Sequence, residues 1–277
     1  MVRGRRLFGL SAVLAVLGMA GFVLVLGSLL KSGLPLLTWR FLTSSGNVGI
    51  GPEILNTVVL CSITMIVTVP LGLLVAVYQG EYLRRLSRRV RELDHLRATL
   101  MSAPTIVLAL AVYRVAVGWW HWPVSLLTGA LALSVINWPF MVTVCRAALS
   151  AVPDSYREAS LALGASRFET VVRVVIPAAL GTLIEGIGMA LARLAGESAA
   201  LIVTTGVNVS QHWSLWGPGE TLAVHIWYIR TEGVVSGRDA EAAATGVTLM
   251  IGISVVLWLS NRVAQLFGRS EGGYDGT

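Results

Sequence analysis

The sequence feature that most constrains the fold is a series of long apolar runs separated by short charged segments. The run from Leu7 to Leu30 has 24 residues and no charged side chain, enough for an α-helix to cross about 30 Å of hydrocarbon. Because lipid cannot satisfy backbone N–H and C=O groups, such runs cross a membrane as helices. We therefore predict an all-α polytopic membrane protein with six transmembrane helices, over residues 7–30, 54–78, 98–120, 125–145, from 176, and about 242–260.

The composition agrees with a chain that lies mostly in lipid. Hydrophobic residues make up 55% of the 277 residues and charged residues 13%, whereas soluble domains carry about 25% charged residues. A cleaved signal peptide is the alternative for the first run, but its apolar core would be shorter, about 7–15 residues. We therefore expect a retained first span.

The sequence carries no usual signature of a nucleotide, metal or disulfide site. Cys61 and Cys145 lie in apolar runs, and the four histidines share no ligand spacing, so we expect core thiols, no metal and no cofactor. Lys31 is the one lysine, and Leu30 precedes it, which rules out a Gly-Lys-Ser/Thr P-loop. We therefore expect a chain that is not an enzyme; if the protein uses ATP, another chain must hydrolyse it.

An arginine-rich segment, residues 81–97, separates the second and third runs. Its apolar residues recur at helical spacing, at Leu83, Leu86, Val90 and Leu93. This pattern predicts an amphipathic helix at the membrane surface. A nucleic-acid-binding arm would also be rich in arginine, but a position between two spans favours the interfacial helix, so we expect no nucleic-acid partner.

The distribution of basic residues predicts the orientation. With six spans, fifteen arginines fall on the side that holds both termini, and four basic residues fall on the other side. Positive charge stays cytoplasmic, so we expect cytoplasmic termini in a plasma (bacterial inner) membrane. Seven of the nine tryptophans fall on or beside the outer loops: Trp39, Trp119, Trp120, Trp122, Trp213, Trp216 and Trp227. We interpret them as an interfacial belt, or in part as a platform for an external partner.

The most polar helix-like segment of the second half is EASLALGASRFETVVRVVIP, residues 158–177. Pro153-Asp154-Ser155 before it is a helix start. Gly164 is suited to a left-handed helix end, and Pro177 is tolerated in the first turn of a following helix. The segment therefore predicts a short helix, a tight turn and a new span. An ordinary amphipathic connector between two membrane helices is the alternative.

Charged residues inside the predicted spans are candidate functional residues, because they are costly there. Arg193 and Glu197 stand four positions apart, so we expect them on one face of the fifth helix. They form either an intrahelical ion pair that lowers the insertion cost or a gate, since a guanidinium suits a phosphate-like oxyanion. Arg114, in the third span, either extends to the nearby interface or takes part in the pathway.

The segment 158–177 resembles the EAA loop of binding-protein-dependent ABC importer permeases. In it, Glu158-Ala159 is followed five residues later by Gly164, and Val174-x-Ile176-Pro177 comes after nine more. The family implies a type I, MetI-like permease whose loop docks as a short helix on a separate ATPase. By this resemblance the residues for ATPase coupling are Glu158, Ala159, Gly164, Ala165 and Pro177.

A narrower resemblance is to the PstA-type permeases of phosphate importers. ALARLAGESAAL at 190–201 is similar to their RAxGETAPL stretch, and the segments 76–82, 102–107 and 221–226 also resemble that family. The resemblance implies a PstC-type homologous permease, two PstB-type ATPases and a PstS-type external binding protein as partners, with Arg193 and Glu197 on the phosphate pathway. Ala200 stands where that family usually has proline, and Glu185 and Arg114 are unexpected charges.

These observations predict the permease subunit of an ABC importer, which moves inorganic phosphate inward by alternating access. Another oxyanion (molybdate, sulfate or phosphonate) is the alternative cargo, and a membrane scaffold or sensor is an alternative class. An intramembrane enzyme is a further alternative, but it would need paired carboxylates or histidines at catalytic spacing near one membrane face, and the sequence shows no such spacing. We expect an N-terminal helix and external loop in 1–52, a core in 53–268 with five transmembrane helices and the coupling loop at about 146–176, and a flexible tail in 269–277.

Overall fold

The computed structural model describes residues 2–46, 49–83, 87–207, 213–232 and 238–268. The predicted C-terminal tail, 269–277, lies outside these residues, as do Arg84, Arg85 and Leu86 of the arginine-rich segment. Within the described part of the chain, every regular element is helical. The all-α prediction is therefore confirmed.

The described helices run as follows along the chain: α1 Val2–Gly33, α2 Trp39–Thr43, α3 Gly51–Val77, α4 Ser87–Ser102, α5 Thr105–Tyr113, α6 Leu126–Ala151, α7 Asp154–Ala162, α8 Arg167–Thr170, α9 Ile176–Ala195, α10 Ala199–Thr204, α11 Leu222–Glu232 and α12 Arg238–Gly268. A short 3₁₀ turn, Leu34–Leu36, follows α1. Three π-helical turns extend or join helices, at Tyr78–Tyr82, Arg114–Trp119 and Val171–Val175.

Five helical segments of the described chain are long and apolar enough to cross a membrane: Leu14–Leu36, Gly51–Tyr82, Leu126–Ala151, Arg167–Ala195 and Arg238–Phe267. A sixth candidate is the bent pair Val90–Ser102 and Thr105–Trp119. The fifth span begins nine residues earlier than the sequence indicated, because α8 and the π-helical turn continue into α9.

The third predicted span, residues 98–120, is not one continuous helix. Its first residues belong to α4, which continues from the arginine-rich segment, and the axis bends by 94° before α5 begins. Pro104 stands at the N-cap of α5, with an extended ψ of 129°, and the residue before a proline avoids helical geometry. The interfacial helix and the start of the third span are therefore one element.

The core lies where α3, α6 and α9 meet, with α12 on α9 and α1 on α12. Small residues allow the close approaches: a Cβ added at Gly186 would lie 2.2 Å from Val144, and one at Gly72 would lie 2.7 Å from Met141. Cys61 and Cys145 are free and buried, as expected. Helix α3 continues without interruption through Pro70.

Helix α3 carries a stripe of polar side chains that faces protein. Asn56, Thr57, Thr64 and Thr68 are buried, whereas Ser62 is exposed. Thr57 and Thr68 donate to backbone carbonyls one turn earlier. Local hydrogen bonds of this kind lower the cost of a buried hydroxyl.

Candidate functional site

The segment after α6 forms the short helix and tight turn that the sequence predicts. Helix α7 ends at Ala162, and Gly164 follows with φ of 87°, a left-handed conformation that glycine adopts without steric cost. Ser166 and Glu169 then form a capping box that starts α8. Pro177 lies in the first turn of α9, but the helical course has already resumed at Arg167.

We call the side chains of α7, the turn 163–165 and α8 the α7–α8 surface. None of the residues of α7 is buried, and Glu158, Ala159 and Gly164 are exposed. Large apolar side chains are also exposed: Leu163 is 90% exposed and Phe168 is 67% exposed. An apolar patch mixed with polar groups marks an interaction surface.

Arg157 attaches α7 to the rest of the fold. Its Nε donates to Glu81 Oε1 at 2.9 Å, and its Nη1 and Nη2 donate to the carbonyls of Val152 and Leu149, each at 2.8 Å. The Arg157 and Glu81 side chains are only 11% and 14% exposed. The sequence analysis missed this pair, because Glu81 lies 76 residues earlier in the chain and no local spacing relates the two.

The second candidate region is the interruption of the helix between α9 and α10. Helix α9 ends at Ala195 and Gly196 caps it, so Glu197 lies beyond the helix. The prediction that Arg193 and Glu197 share one helix face is therefore wrong. Between these two described side chains the structure gives no ion pair, and the Arg193 guanidinium instead lies 5.0 Å from the centre of the Phe140 ring, a cation–π geometry.

Glu197 forms hydrogen bonds to the first turns of both α5 and α10. Its Oε1 accepts hydrogen bonds from the Thr105 hydroxyl at 3.2 Å and from the Ala200 backbone N–H at 3.3 Å. Thr105 is the first residue of α5, directly after the 94° bend, and Ala200 is in the first turn of α10. We call Arg193, Glu197 and Thr105 the charged break.

One side of α9 remains unpacked by the described chain and carries two charges. Thr182, Glu185, Met189 and Arg193 are exposed at intervals of three or four residues, so they form one stripe. Ionisable side chains inside a membrane almost always face protein or a water-filled cavity. This stripe therefore requires a neighbour other than lipid.

Arg114 does not join the charged break. It is exposed and begins the π-helical turn that ends at Trp119, which is 69% exposed. It stands nine residues after Thr105, or about 14 Å along the helix. The charged break therefore contains two of the three residues predicted for the pathway.

Aromatic and acidic groups gather at the N-terminal end of α3. Trp213 Nε1 donates to Asn56 Oδ1 at 2.9 Å, and Trp122 and Trp216 pack edge to face at 5.3 Å. The same end holds a buried group of Glu53, Glu220 and His225, whose ligand atoms lie within 4.8 Å of one another. Sequence spacing missed this group, because its members come from α3, α11 and the segment before α11.

A bundle of apolar spans that presents an exposed helix-turn-helix has the architecture of an ABC importer permease. Residues 68–269 match the family described as binding-protein-dependent transport system inner membrane component, and the chain belongs to this family. The type I, MetI-like class predicted from the sequence is confirmed by this match and by the fold of solved importer permeases.

Curated relatives match over most of the chain. The probable ABC transporter permease protein YqgI of Bacillus subtilis is 34% identical, over 95% of this chain and 92% of its own. The phosphate transport system permease protein PstA of Haemophilus influenzae is 28% identical, over 88% of each chain. The predicted resemblance to PstA-type permeases is confirmed.

Among solved structures, a bacterial alginate ABC transporter in complex with an alginate-bound periplasmic protein has a chain that aligns with a TM-score of 0.69. The identity is 13%, over 93% of this chain and 94% of that one. The likeness confirms the fold. The protein is thus a multi-pass inner-membrane permease subunit of an ABC importer, a class that acts with ATPase and substrate-binding subunits.

Proposed function

We propose that this permease carries inorganic phosphate inward, as a PstA-type subunit of a phosphate importer. The observation that carries the proposal is the guanidinium of Arg193 on the unpacked stripe of α9, in a chain that aligns with PstA of Haemophilus influenzae over 88% of both lengths. A guanidinium presents a planar fork of donors that matches phosphate oxygens. Arg193 would contact the anion. Glu197 would stabilise the adjacent interruption between α9 and α10 through its hydrogen bonds to Thr105 and Ala200.

The unpacked stripe supports a pathway between two permease subunits. Glu185 and Arg193 are exposed on it, although the Arg193 guanidinium also meets the Phe140 ring, and charges of this kind are not left facing lipid. A second, homologous permease of the PstC type would cover the stripe and leave a polar path between the subunits. Alternating access would then open this path first to one side and then to the other.

The α7–α8 surface supports docking on a separate ATPase. Its apolar side chains are exposed, whereas Arg157 holds the opposite side of α7 against Glu81. Movement imposed on α7 would therefore reach the π-helical turn after α3 through the Arg157–Glu81 ion pair, and the end of α6 through the Arg157 hydrogen bonds to Leu149 and Val152. Glu158, Ala159, Gly164, Ala165 and Pro177 would form or shape the contact with the PstB-type ATPase, and this chain would itself hydrolyse no ATP.

The proposal includes an orientation. The fifteen arginines on the side of the termini favour the cytoplasm for that side, and the α7–α8 surface would then lie where ATP is available. The end of α3 that holds Trp213 and Asn56 would then face a PstS-type binding protein. Cysteines introduced at Leu163 and Trp213 would test this: only the second should react with an impermeant maleimide in intact cells.

Transport by the reconstituted complex tests the cargo. With the partner subunits in proteoliposomes, we expect ATP-dependent uptake of labelled phosphate, and competition by unlabelled phosphate stronger than by molybdate, sulfate or a phosphonate. Arg193→Ala should reduce uptake at least tenfold, and Arg193→Lys should retain more of it because the charge remains. Stronger competition by molybdate, or full uptake by Arg193→Ala, would contradict the phosphate pathway.

A further inference from the structure

The buried acidic group at the N-terminal end of α3 is not explained by transport of an anion. The Glu53 and Glu220 side chains are each 2% exposed, and His225 is 7% exposed. His225 Nδ1 lies 2.8 Å from Glu220 Oε2 and its Nε2 lies 3.7 Å from Glu241 Oε1. Two buried carboxylates and the partly exposed Glu241 thus lie around one buried imidazole.

Several ligating atoms of this group have no hydrogen-bond partner. Glu53 Oε2, Glu220 Oε1 and His225 Nε2 are buried and unpaired among the described residues. A buried polar atom without a partner destabilises the folded state, and more so when it is charged. Glu53 lies in the first turn of α3, where the helix dipole favours a carboxylate. The dipole does not, however, provide a hydrogen-bond donor for Glu53 Oε2.

Carboxylates crowd around one imidazole here, and the buried oxygens Glu53 Oε2 and Glu220 Oε1 have no hydrogen-bond donor among the described residues. A bound divalent cation would neutralise negative charge at this position and would also give the unpaired oxygens a partner.

We propose that Glu53, Glu220 and His225, with Glu241 beside them, form a binding site for a divalent transition-metal ion such as Zn²⁺ or Mn²⁺. The donor set of one imidazole and several carboxylates fits these ions, whereas Ca²⁺ and Mg²⁺ prefer sites made wholly of oxygen. The ligand atoms already lie within 4.8 Å of one another. Ligand atoms of a tetrahedral Zn²⁺ ion, each about 2.1 Å from the metal, lie about 3.4 Å apart, so side-chain shifts of about an ångström would suffice.

The geometry also provides a partner for the far side of the imidazole and an entry route. His225 Nδ1 faces Glu220, whereas Nε2 lies 3.7 Å from Glu241 Oε1. Nδ1 would therefore ligate the ion beside Glu220, and Glu241 would orient the imidazole from its other nitrogen, as carboxylate partners do for metal-binding histidines. A cleft lined by Leu55, Trp213 and Pro218 reaches Glu53 and Glu220. A bound ion would clamp the ends of α3, α11 and α12 together, and so fix the Trp213 segment above them.

Direct metal titration of the full chain tests the site. The detergent-solubilised protein, stripped with a chelator and dialysed, is titrated with ZnCl₂ or MnCl₂ and analysed by elemental mass spectrometry and thermal unfolding. We expect one equivalent of metal bound and a higher midpoint of unfolding, since a ligand of the native state stabilises it. Less than about 0.1 equivalent bound, with no shift, overturns the proposal.

Substitutions separate this site from adventitious binding. Glu220→Gln and His225→Gln should weaken metal binding at least tenfold, while Glu92→Gln, a surface carboxylate with 62% exposure, should leave it unchanged. If the buried variants do not fold, Glu241→Gln, at 26% exposure, should still weaken binding several-fold. Equal binding by the variants and the wild type overturns the proposal, as does a chelated protein whose stability responds to pH and not to metal.

Discussion

The α7–α8 surface and the charged break differ in where along the chain their residues come from. The former is built almost entirely from residues 153–170, with Gly164 and the capping box setting its shape. The charged break joins Thr105 to Glu197 across 92 residues and sets Arg193 against Phe140 of a third helix. The comparison shows that local signals suffice for one region, whereas tertiary packing decides the other.

The anchor of the α7–α8 surface should give the largest effect on stability. Arg157→Ala leaves Glu81 without its partner in a site where both side chains are nearly buried, and breaking such a pair costs about 3–5 kcal/mol. We expect a loss of that order in chemical denaturation, together with loss of ATPase co-purification.

A surface arginine provides the control for this change. Arg88→Ala removes a side chain that is 89% exposed and pairs with Glu92, and surface pairs contribute about 0–1 kcal/mol. Similar losses for Arg157→Ala and Arg88→Ala would mean that α7 is not held by its buried ion pair.

The turn of the α7–α8 surface should give the next largest effect. Gly164→Ala places a Cβ at φ of 87° with no neighbour within 4 Å, so its cost is backbone strain of about 1–2 kcal/mol. Gly252→Ala, which also meets open space but lies inside α12, should be neutral or stabilising. Comparison of the two unfolding midpoints checks this, and a neutral Gly164→Ala would show that the turn tolerates another geometry.

The charged break should respond more weakly to loss of its hydrogen bond. Thr105→Val removes the donor to Glu197, which still accepts from the Ala200 N–H, so we expect a loss of about 1 kcal/mol. Phosphate uptake should fall while ATPase binding stays normal. Thr99→Val, whose hydroxyl bonds within its own exposed helix turn, is the control, and equal uptake by both variants would contradict a link between the two helix breaks.

The smallest effect on stability should come from the exposed apolar residues of α7–α8. Leu163→Ser changes a side chain that is 90% exposed, and such substitutions usually stay within about 0.5 kcal/mol. Binding to the ATPase subunit should nevertheless weaken, because the side chain would be buried on docking. Leu163→Met should retain binding; an undiminished affinity of Leu163→Ser in titration calorimetry would place the contact elsewhere.

The sequence was sufficient for the presence of the long apolar spans and for the helix-turn-helix, because both depend on nearby residues, although it missed the bend in the third span and the start of the fifth. Long apolar runs require helices in lipid, and Pro153 and Gly164 mark the boundaries of α7 through backbone chemistry. Pro104 carried the signal for the bend before α5, but the apolar run around it concealed the change of direction.

Three long-range contacts could not be predicted, because no sequence spacing relates the two residues of each. Arg157 meets Glu81, Thr105 meets Glu197, and His225 meets Glu53, each across a long stretch of chain. The helix end at Ala195 was missed because small residues recur throughout α9, at Gly186, Gly188, Ala190 and Ala195, where they suit close helix packing, so Gly196 alone did not mark a boundary. The i,i+4 spacing of Arg193 and Glu197 then suggested an ion pair that the break prevents.

The central claim is that the α7–α8 surface docks on the ATPase and transmits its movement, whereas the charged break contacts the transported anion. Its most direct test is the number of phosphate ions transported per ATP hydrolysed by the reconstituted complex carrying Arg193→Ala. We predict that this ratio falls at least tenfold while the rate of ATP hydrolysis stays within about twofold of wild type. An unchanged ratio, or a loss of hydrolysis in parallel with transport, would contradict the separation of the two roles.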